Sequence, residues 1–288
     1  MKPIDQTGAI DATQREQLLK DGFCIFEHVL DQPMLDELRR VTQGLIAQVS
    51  AGDAEKYKYQ GTNVQVNYQD PIFAKLFAWP AALDALASLG FPNPKFWSGF
   101  MLSKPPHGPP LYWHQDWWAW DEPCSLEATP PQIFLMYYLT DTNRENGCLR
   151  VIPGSHRHRV DLHDQIHEAH TRATYTAPLD APEFMQHPDE VDIEVKAGDV
   201  VIGDARVLHA AHLNKTDKHR TLLTLWYLPD FDHLPDSIKV ATARTLPLAP
   251  PDWWEGDAGK VVEPLIPYFT GDAPKAKWNR VPDMLHDE

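Results

Sequence analysis

GDVVIGDARVLHAAHLNKTDKHRTLLTLWYL, residues 198–228, is the stretch that decides how this chain folds and what it can hold. Two apolar runs, DVVIGDARVLHAA (199–211) and RTLLTLWYL (220–228), flank the polar turn LNKTDKH, and both read as strands. His209 stands at the end of the first run and Arg220 opens the second. Antiparallel pairing of the two runs would bring these side chains together in one pocket. A histidine alone on an apolar strand is more often a satisfied core residue. The arginine paired with it reverses that reading, because a guanidinium clamps a carboxylate with two parallel hydrogen bonds.

Upstream the texture is similar. FWSGFMLSK (96–104), QIFLMYYLT (132–140), CLRVI (148–152) and VDIEV (191–195) are short apolar runs, separated by turns such as 143–147 and 196–199. The opening third differs. Residues 12–22 read as a capped helix ending at Gly22, followed by a short strand in CIFEHVL (24–30). Met34, Leu35, Leu38, Val41, Leu45 and Val49 recur near helical period, and 70–90 reads as a helix broken at Pro80. Helices first and strands later describe an α+β, mainly β chain whose strands close into a sandwich. We expect one domain over 1–288: a helical part to about 95, a core over about 96–230, and a tail over 231–288. Residues 156–190 have no period and are rich in His and Pro, so they read as an irregular insertion acting as a lid, together with the tail around Trp253 and Trp254.

The charge balance is acidic, with 26 Lys+Arg against 41 Asp+Glu and a net charge of −15. That argues against nucleic acid as a partner, since displacing counterions needs clustered positive charge. No apolar run nears the roughly 18 residues needed to cross a bilayer, so no membrane partner is expected. Cys24, Cys124 and Cys148 are too few and too scattered for a disulfide framework, which suits a cytoplasmic location. A monomer or small homo-oligomer acting on a small-molecule substrate fits these bounds.

YWHQDWWAWDEP (112–123) carries the other half of the chemistry. In an extended segment His114 and Asp116 project to one face and Gln115 to the other. His-x-Asp by itself is weak, for His187-Pro188-Asp189 and His286-Asp287-Glu288 offer a carboxylate at the same spacing. With His209 the pair would complete the two-histidine, one-carboxylate facial triad of non-haem Fe(II) oxygenases, which leaves positions open for a chelating cosubstrate and dioxygen. His212 is the rival third ligand, opposite in strand phase to His209. A metal next to an arginine clamp suggests 2-oxoglutarate as cosubstrate. Trp117 and Trp118 are divided between core and pocket wall, and Lys104 is an ordinary lysine or a partner for an anion.

The sequence resembles the phytanoyl-CoA dioxygenase family of Fe(II)/2-oxoglutarate oxygenases. The likeness runs in order through KDGFCIFEHVL (20–30), SKPPHGPPLYWHQDWWAWDEP (103–123), ENGCLRVIPGSHR (145–157) and GDVVIGDARVLHAAHLNKTDKHR (198–220). It implies a double-stranded β-helix, a cupin-like jelly roll, flanked by N-terminal helices. It implies His114, Asp116 and His209 as iron ligands and Arg220 as the clamp. Where the family often places Ser or Thr, two residues past the distal histidine, this chain has Ala211, so a supporting bond to the cosubstrate is either missing or supplied by Tyr138 or Thr221. The implied activity is hydroxylation of an unactivated C–H bond of a small molecule, with succinate and CO2 released. The alternative is a non-oxygenase jelly-roll protein that binds a metal or a ligand, which has no need of a carboxylate clamp next to the metal.

Overall fold

Gly22 ends the first helix because its backbone takes φ +87°, a conformation that side chains with a Cβ resist, while its amide bonds the Leu18 carbonyl at 3.0 Å. The computed structural model describes residues 12–50, 52, 55, 57–243 and 250–286. Helix α1 (Ala12–Asp21) leads into β1 (Phe23–Phe26) and then α2 (Gln32–Ile46). Asp31 caps α2 by accepting from the Met34 amide at 2.8 Å. The helix broken at proline is present as α3 (Pro71–Phe77) and α4 (Pro80–Ser88), each with proline in its first turn, where its missing N–H costs nothing.

The strands form two antiparallel sheets. The larger has the order β1-β8-β5-β10-β3-β2, with β2 (Thr62–Gln65), β3 (Lys95–Lys104), β5 (Ile133–Tyr138), β8 (Val200–Asp204) and β10 (Arg220–Leu228). The smaller has the order β4-β9-β6-β7, with β4 (Leu111–His114), β6 (Leu149–Val151), β7 (Val191–Ile193) and β9 (His209–Ala211). Side chains alternate along β10. Leu223, Leu225 and Tyr227 pack with helix residues such as Phe73, Phe77 and Leu86 in the main core. Arg220, Leu222, Thr224 and Trp226 face a cavity on the opposite side. Full burial of each such Leu contributes roughly 1.5–3 kcal/mol, so the helices hold the floor of that cavity rigid.

Two expectations need correction. The run 199–211 is two strands, not one. Asp204 accepts from the Arg206 backbone amide at 2.9 Å and binds the Arg206 guanidinium at 2.6 Å, a buried pair that turns the chain between β8 and β9. β9 therefore enters the smaller sheet, and His209 and Arg220 lie in different sheets and not side by side in one ladder.

Residues 156–190 form a folded cap in place of a structureless loop. Helices α5 (Leu162–Gln165) and α6 (Arg172–Thr176) and the turn Pro182–Phe184 dock on the smaller sheet. Tyr59 donates to the Ala177 carbonyl at 3.0 Å and packs on Phe184, and Trp113 donates to the Met185 carbonyl at 2.9 Å. Trp253 and Trp254 are no part of this cap. They pack against the helical core near Tyr68, in the turn Asp252–Glu255 between α7 (Asp236–Thr242) and α8 (Asp257–Val262). Among the described residues no helix is long and apolar enough to cross a membrane, and the side chains of Cys24, Cys124 and Cys148 are buried.

Candidate metal and cosubstrate site

His114 closes β4 and sits directly opposite His209 on β9. This register sets the imidazoles together, with ring centroids 4.1 Å apart. Each ring donates its Nδ1–H to the carbonyl two residues upstream, His114 to Tyr112 at 3.0 Å and His209 to Val207 at 3.1 Å. Both rings are thus held as the tautomer whose Nε2 lone pair is free. Asp116 completes the group. Its Oδ1 lies 3.8 Å from His114 Nε2 and its Oδ2 3.8 Å from His209 Nε2. All three side chains are buried, and one ligand atom from each falls within 4.8 Å of the others, an arrangement that can hold a metal ion.

The local chain explains this geometry. The Asp116 and Trp117 amides both bond the Ala205 carbonyl at 2.8 Å, and Gln115 turns away to donate to the Arg206 carbonyl. The expected same-face placement of His114 and Asp116 follows. Burial, with His209 and His170 nearby, holds the His114 pKa well below its ordinary value, so the ring stays neutral and able to ligate. Asp116 Oδ2 also accepts from Trp226 Nε1 at 2.8 Å. Trp226 escaped the sequence reading. Its only signal was its alternation with Arg220 on one strand face.

His212 is not part of this group. Its Nε2 is 2.6 Å from Asp192 Oδ1, in a separate group with Cys148, and Asp192 is itself paired with Arg144 at 3.4 Å. His187 is engaged with Asp161 at 3.0 Å, and Asp287 lies outside the described residues.

The triad opens onto a cavity of about 800 Å³ floored by β3, β5 and β10. At one end, Arg220 pairs in register with Lys104. The Arg220 side chain is buried, its Nε has no hydrogen-bond partner, and no carboxylate pairs with it among the described residues. Burial lowers its pKa. A buried, unpaired guanidinium is costly, and an incoming carboxylate would relieve that cost. Lys104 is no ordinary exposed lysine. It is buried, donates to the Pro109 carbonyl at 2.6 Å, and has its pKa driven well down by burial and by Arg220.

Tyr138 lines the same end, its hydroxyl 3.8 Å from Met136 Sδ, and Ala211 lies opposite. Thr221 is a correction. Strand alternation turns it to the other face, where it bonds Ser103 Oγ at 2.7 Å. Trp117 and Trp118 are also displaced from the pocket wall. Trp117 is buried and donates to Ser125 Oγ at 2.8 Å, and Trp118 supports Trp278 from behind, with ring centroids 5.2 Å apart. The indoles that do line the cavity are Trp97, Trp226 and Trp278, and the cap adds His170 and Tyr175. His170 is a cap residue that the sequence left among many histidines. Its Nδ1 is 2.8 Å from both the Tyr112 hydroxyl and Gln60 Nε2, and its ring stands 5.6 Å from that of His114.

Comparisons with known proteins agree with this arrangement. A probable alpha-ketoglutarate-dependent hypophosphite dioxygenase from Stutzerimonas stutzeri is 24% identical over 237 residues, 75% of this chain and 78% of that protein. Phytanoyl-CoA dioxygenase 1 from Oryza sativa subsp. japonica is 32% identical over 164 residues, 54% of this chain and 52% of that protein. The crystal structure of EctD from S. alaskensis with 2-oxoglutarate and 5-hydroxyectoine superposes with a TM-score of 0.57 at 20% identity, covering 79% of each chain. The phytanoyl-CoA dioxygenase (PhyH) family model matches residues 18–222, a span that includes the triad and Arg220. The chain belongs to the phytanoyl-CoA dioxygenase family and is a 2-oxoglutarate-dependent dioxygenase.

Proposed function

We propose that this protein hydroxylates an unactivated C–H bond of a small molecule, with His114, Asp116 and His209 holding Fe(II) and Arg220 holding the distal carboxylate of 2-oxoglutarate. The two facing sheets are read as a jelly roll, in a protein of the cytoplasm. One observation carries the reading: a buried guanidinium without a counter-ion looks into the same cavity as the two-histidine, one-carboxylate group. A structural metal site has no use for such a clamp. When bound, iron and 2-oxoglutarate supply the oxidising power: dioxygen delivers one atom to the substrate and one to succinate, with CO2 released.

The chain's own residues do the rest. Tyr112 and Val207 carbonyls fix the imidazole tautomers, and Trp226 holds one oxygen of Asp116 so that the other is left for the metal. Arg220 supplies positive charge at the far end, with Lys104 beside it as a further N–H donor, and Tyr138 offers a hydroxyl there in place of the one that Ala211 lacks. The cap, through His170 and Tyr175, covers the opening and limits water above the ligands. An anaerobic titration tests the reading: Fe(II) and 2-oxoglutarate together should give a weak visible absorption band. That band should vanish in Asp116→Ala and need much more 2-oxoglutarate in Arg220→Lys. A wild-type protein that binds Fe(II) but gives no band with 2-oxoglutarate would refute it.

A further inference from the structure

Part of the cavity wall comes from chain beyond the family match, which stops at residue 222. Residues 276–281 lie as a strap along the loop that follows Asp116. The Asn279 amide donates to the Trp118 carbonyl at 2.7 Å, the Trp120 amide to the Asn279 carbonyl at 3.1 Å, and Asn279 Nδ2 to Asp121 at 2.6 Å. The strap places Trp278 and Arg280 in the wall of the cavity that holds the triad. Arg280 donates from Nη1 to the Gln115 carbonyl at 2.8 Å, and its guanidinium lies 5.1 Å from the Trp278 ring centroid.

Three cations line this cavity among the described residues: Lys104, Arg220 and Arg280. The first two are neighbours at one end and together face the cosubstrate's distal carboxylate. Arg280 is at the other end, beside the backbone of the metal-binding loop. No carboxylate lies within ion-pair distance of it among the described residues. Asp116 is near but is committed to the metal, and Glu168 is near but exposed to solvent. The bond to Gln115 uses one of five N–H donors, so the planar fork is still available to a ligand. Trp278 adds a cation–π contact to the guanidinium, which helps to hold the arginine at the cavity wall.

A second, independent feature lies on the same cavity wall. Gln132 is fully buried, and neither its Oε1 nor its Nε2 has a hydrogen-bond partner; the Thr224 hydroxyl is likewise unpartnered. Leaving such buried groups unmet is unfavourable, and a ligand carrying polar groups would remove that cost.

We propose that Arg280 anchors an anionic group of the substrate, so that this enzyme takes a small molecule bearing a carboxylate, with further polar atoms met by Gln132 and Thr224. The proposal rests on the oxygenase reading for the word substrate, but the anion subsite itself is testable without turnover. The probes are matched pairs, indole-3-acetate with indole-3-acetamide and 4-phenylbutyrate with 4-phenylbutyramide. They are titrated by ligand-observed NMR against the protein loaded with Zn(II) and saturating 2-oxoglutarate, which keeps Arg220 engaged. Within a pair only the charge differs. The acid should bind at least fivefold tighter than its amide. That preference should fall to near unity in Arg280→Gln and be partly kept in Arg280→Lys.

Equal binding of acid and amide, or no binding by either, overturns the proposal, as does a preference that survives in Arg280→Gln. A preference lost in Arg220→Lys instead assigns the anion to the clamp and also overturns it. The absorption band of the Fe(II) and 2-oxoglutarate complex separates the two readings. If the wild type forms no band while the acids still lose affinity in Arg280→Gln, the oxygenase reading fails and the anion subsite stands.

Discussion

Trp226→Phe isolates one hydrogen bond at the metal site. The substitution keeps an aromatic ring on the cavity wall and removes the indole N–H that meets Asp116 Oδ2 at 2.8 Å. With that oxygen held, Oδ1 is the one left for a metal shared with His114 and His209. Without it the carboxylate can rotate and offer either oxygen. Hydrogen bonds to charged groups contribute about 1.5–3 kcal/mol. Loss of a residue that orients a metal ligand costs roughly 10–100-fold in metal affinity, or about 1.4–2.7 kcal/mol. The two ranges overlap near 2 kcal/mol, so the Kd for Fe(II), or for Co(II) as an air-stable probe, should rise on the order of thirtyfold. Thermal unfolding of the metal-free protein should change little, because Trp226 is only half-buried. Competition titration against a chromophoric chelator measures the Kd. A value within twofold of wild type would refute the claim that Trp226 orients Asp116 for the metal.

Arg220→Lys should raise the apparent KM for 2-oxoglutarate on the order of tenfold while metal affinity stays near wild type, since a point charge replaces a two-point fork; an unchanged KM in steady-state assays would remove Arg220 from the cosubstrate. His209→Ala should lose metal and His212→Ala should keep it, because His212 is already engaged by Asp192 at 2.6 Å; elemental analysis of the two variants decides. Acid should weaken the fold through His163 in the cap, whose pKa burial lowers to about 4. Its folded pKa lies below the unfolded 6.5, so its contribution is present above pH 6.5, is lost as pH falls towards 4, and changes no further below that. Between pH 6.5 and 5 the loss is on the order of 2 kcal/mol. Urea unfolding of wild type at pH 7 and pH 5 should record it, and His163→Leu should show a shallower dependence; identical slopes would refute the assignment.

Much of this was legible in the sequence because the relevant physics is local. His114 and Asp116 are two residues apart on extended chain, and the β10 face can be read from alternate residues of RTLLTLWYL. The α3–α4 break at Pro80 is equally short-range. Misreadings arose where burial and contacts in the folded chain decide. The run 199–211 carries unbroken strand character, and only the buried Asp204–Arg206 pair sends its two halves into different sheets. Thr221 was misplaced although it is adjacent to Arg220, so that strand alternation turns it to the opposite face of β10. Trp278 and Arg280 lie in a tail without period, and their place at the site depends on backbone bonds from Asn279 to Trp118 and Trp120. Trp117 and Trp118 drew attention by their density, yet Trp118 backs an indole from the tail and Trp117 is buried beside Trp118.

The strap has a consequence for the order in which the protein matures. Asp116 meets Trp226 across 110 positions of chain, and Gln115 meets Arg280 across 165. On the ribosome, every group assigned to iron and 2-oxoglutarate has been synthesised once β10 is complete, while the wall that faces the substrate waits for Arg280. Closing the longer loop costs only slightly more entropy than closing the shorter one, so the delay is one of synthesis and not of stability. A nascent chain arrested after β10 would have the parts proposed to hold the metal and the cosubstrate, with Gln132 and Thr224 already on the cavity wall, and would still lack Trp278 and Arg280. Attachment of the strap is then the step that would add the proposed anion anchor to a cavity otherwise complete.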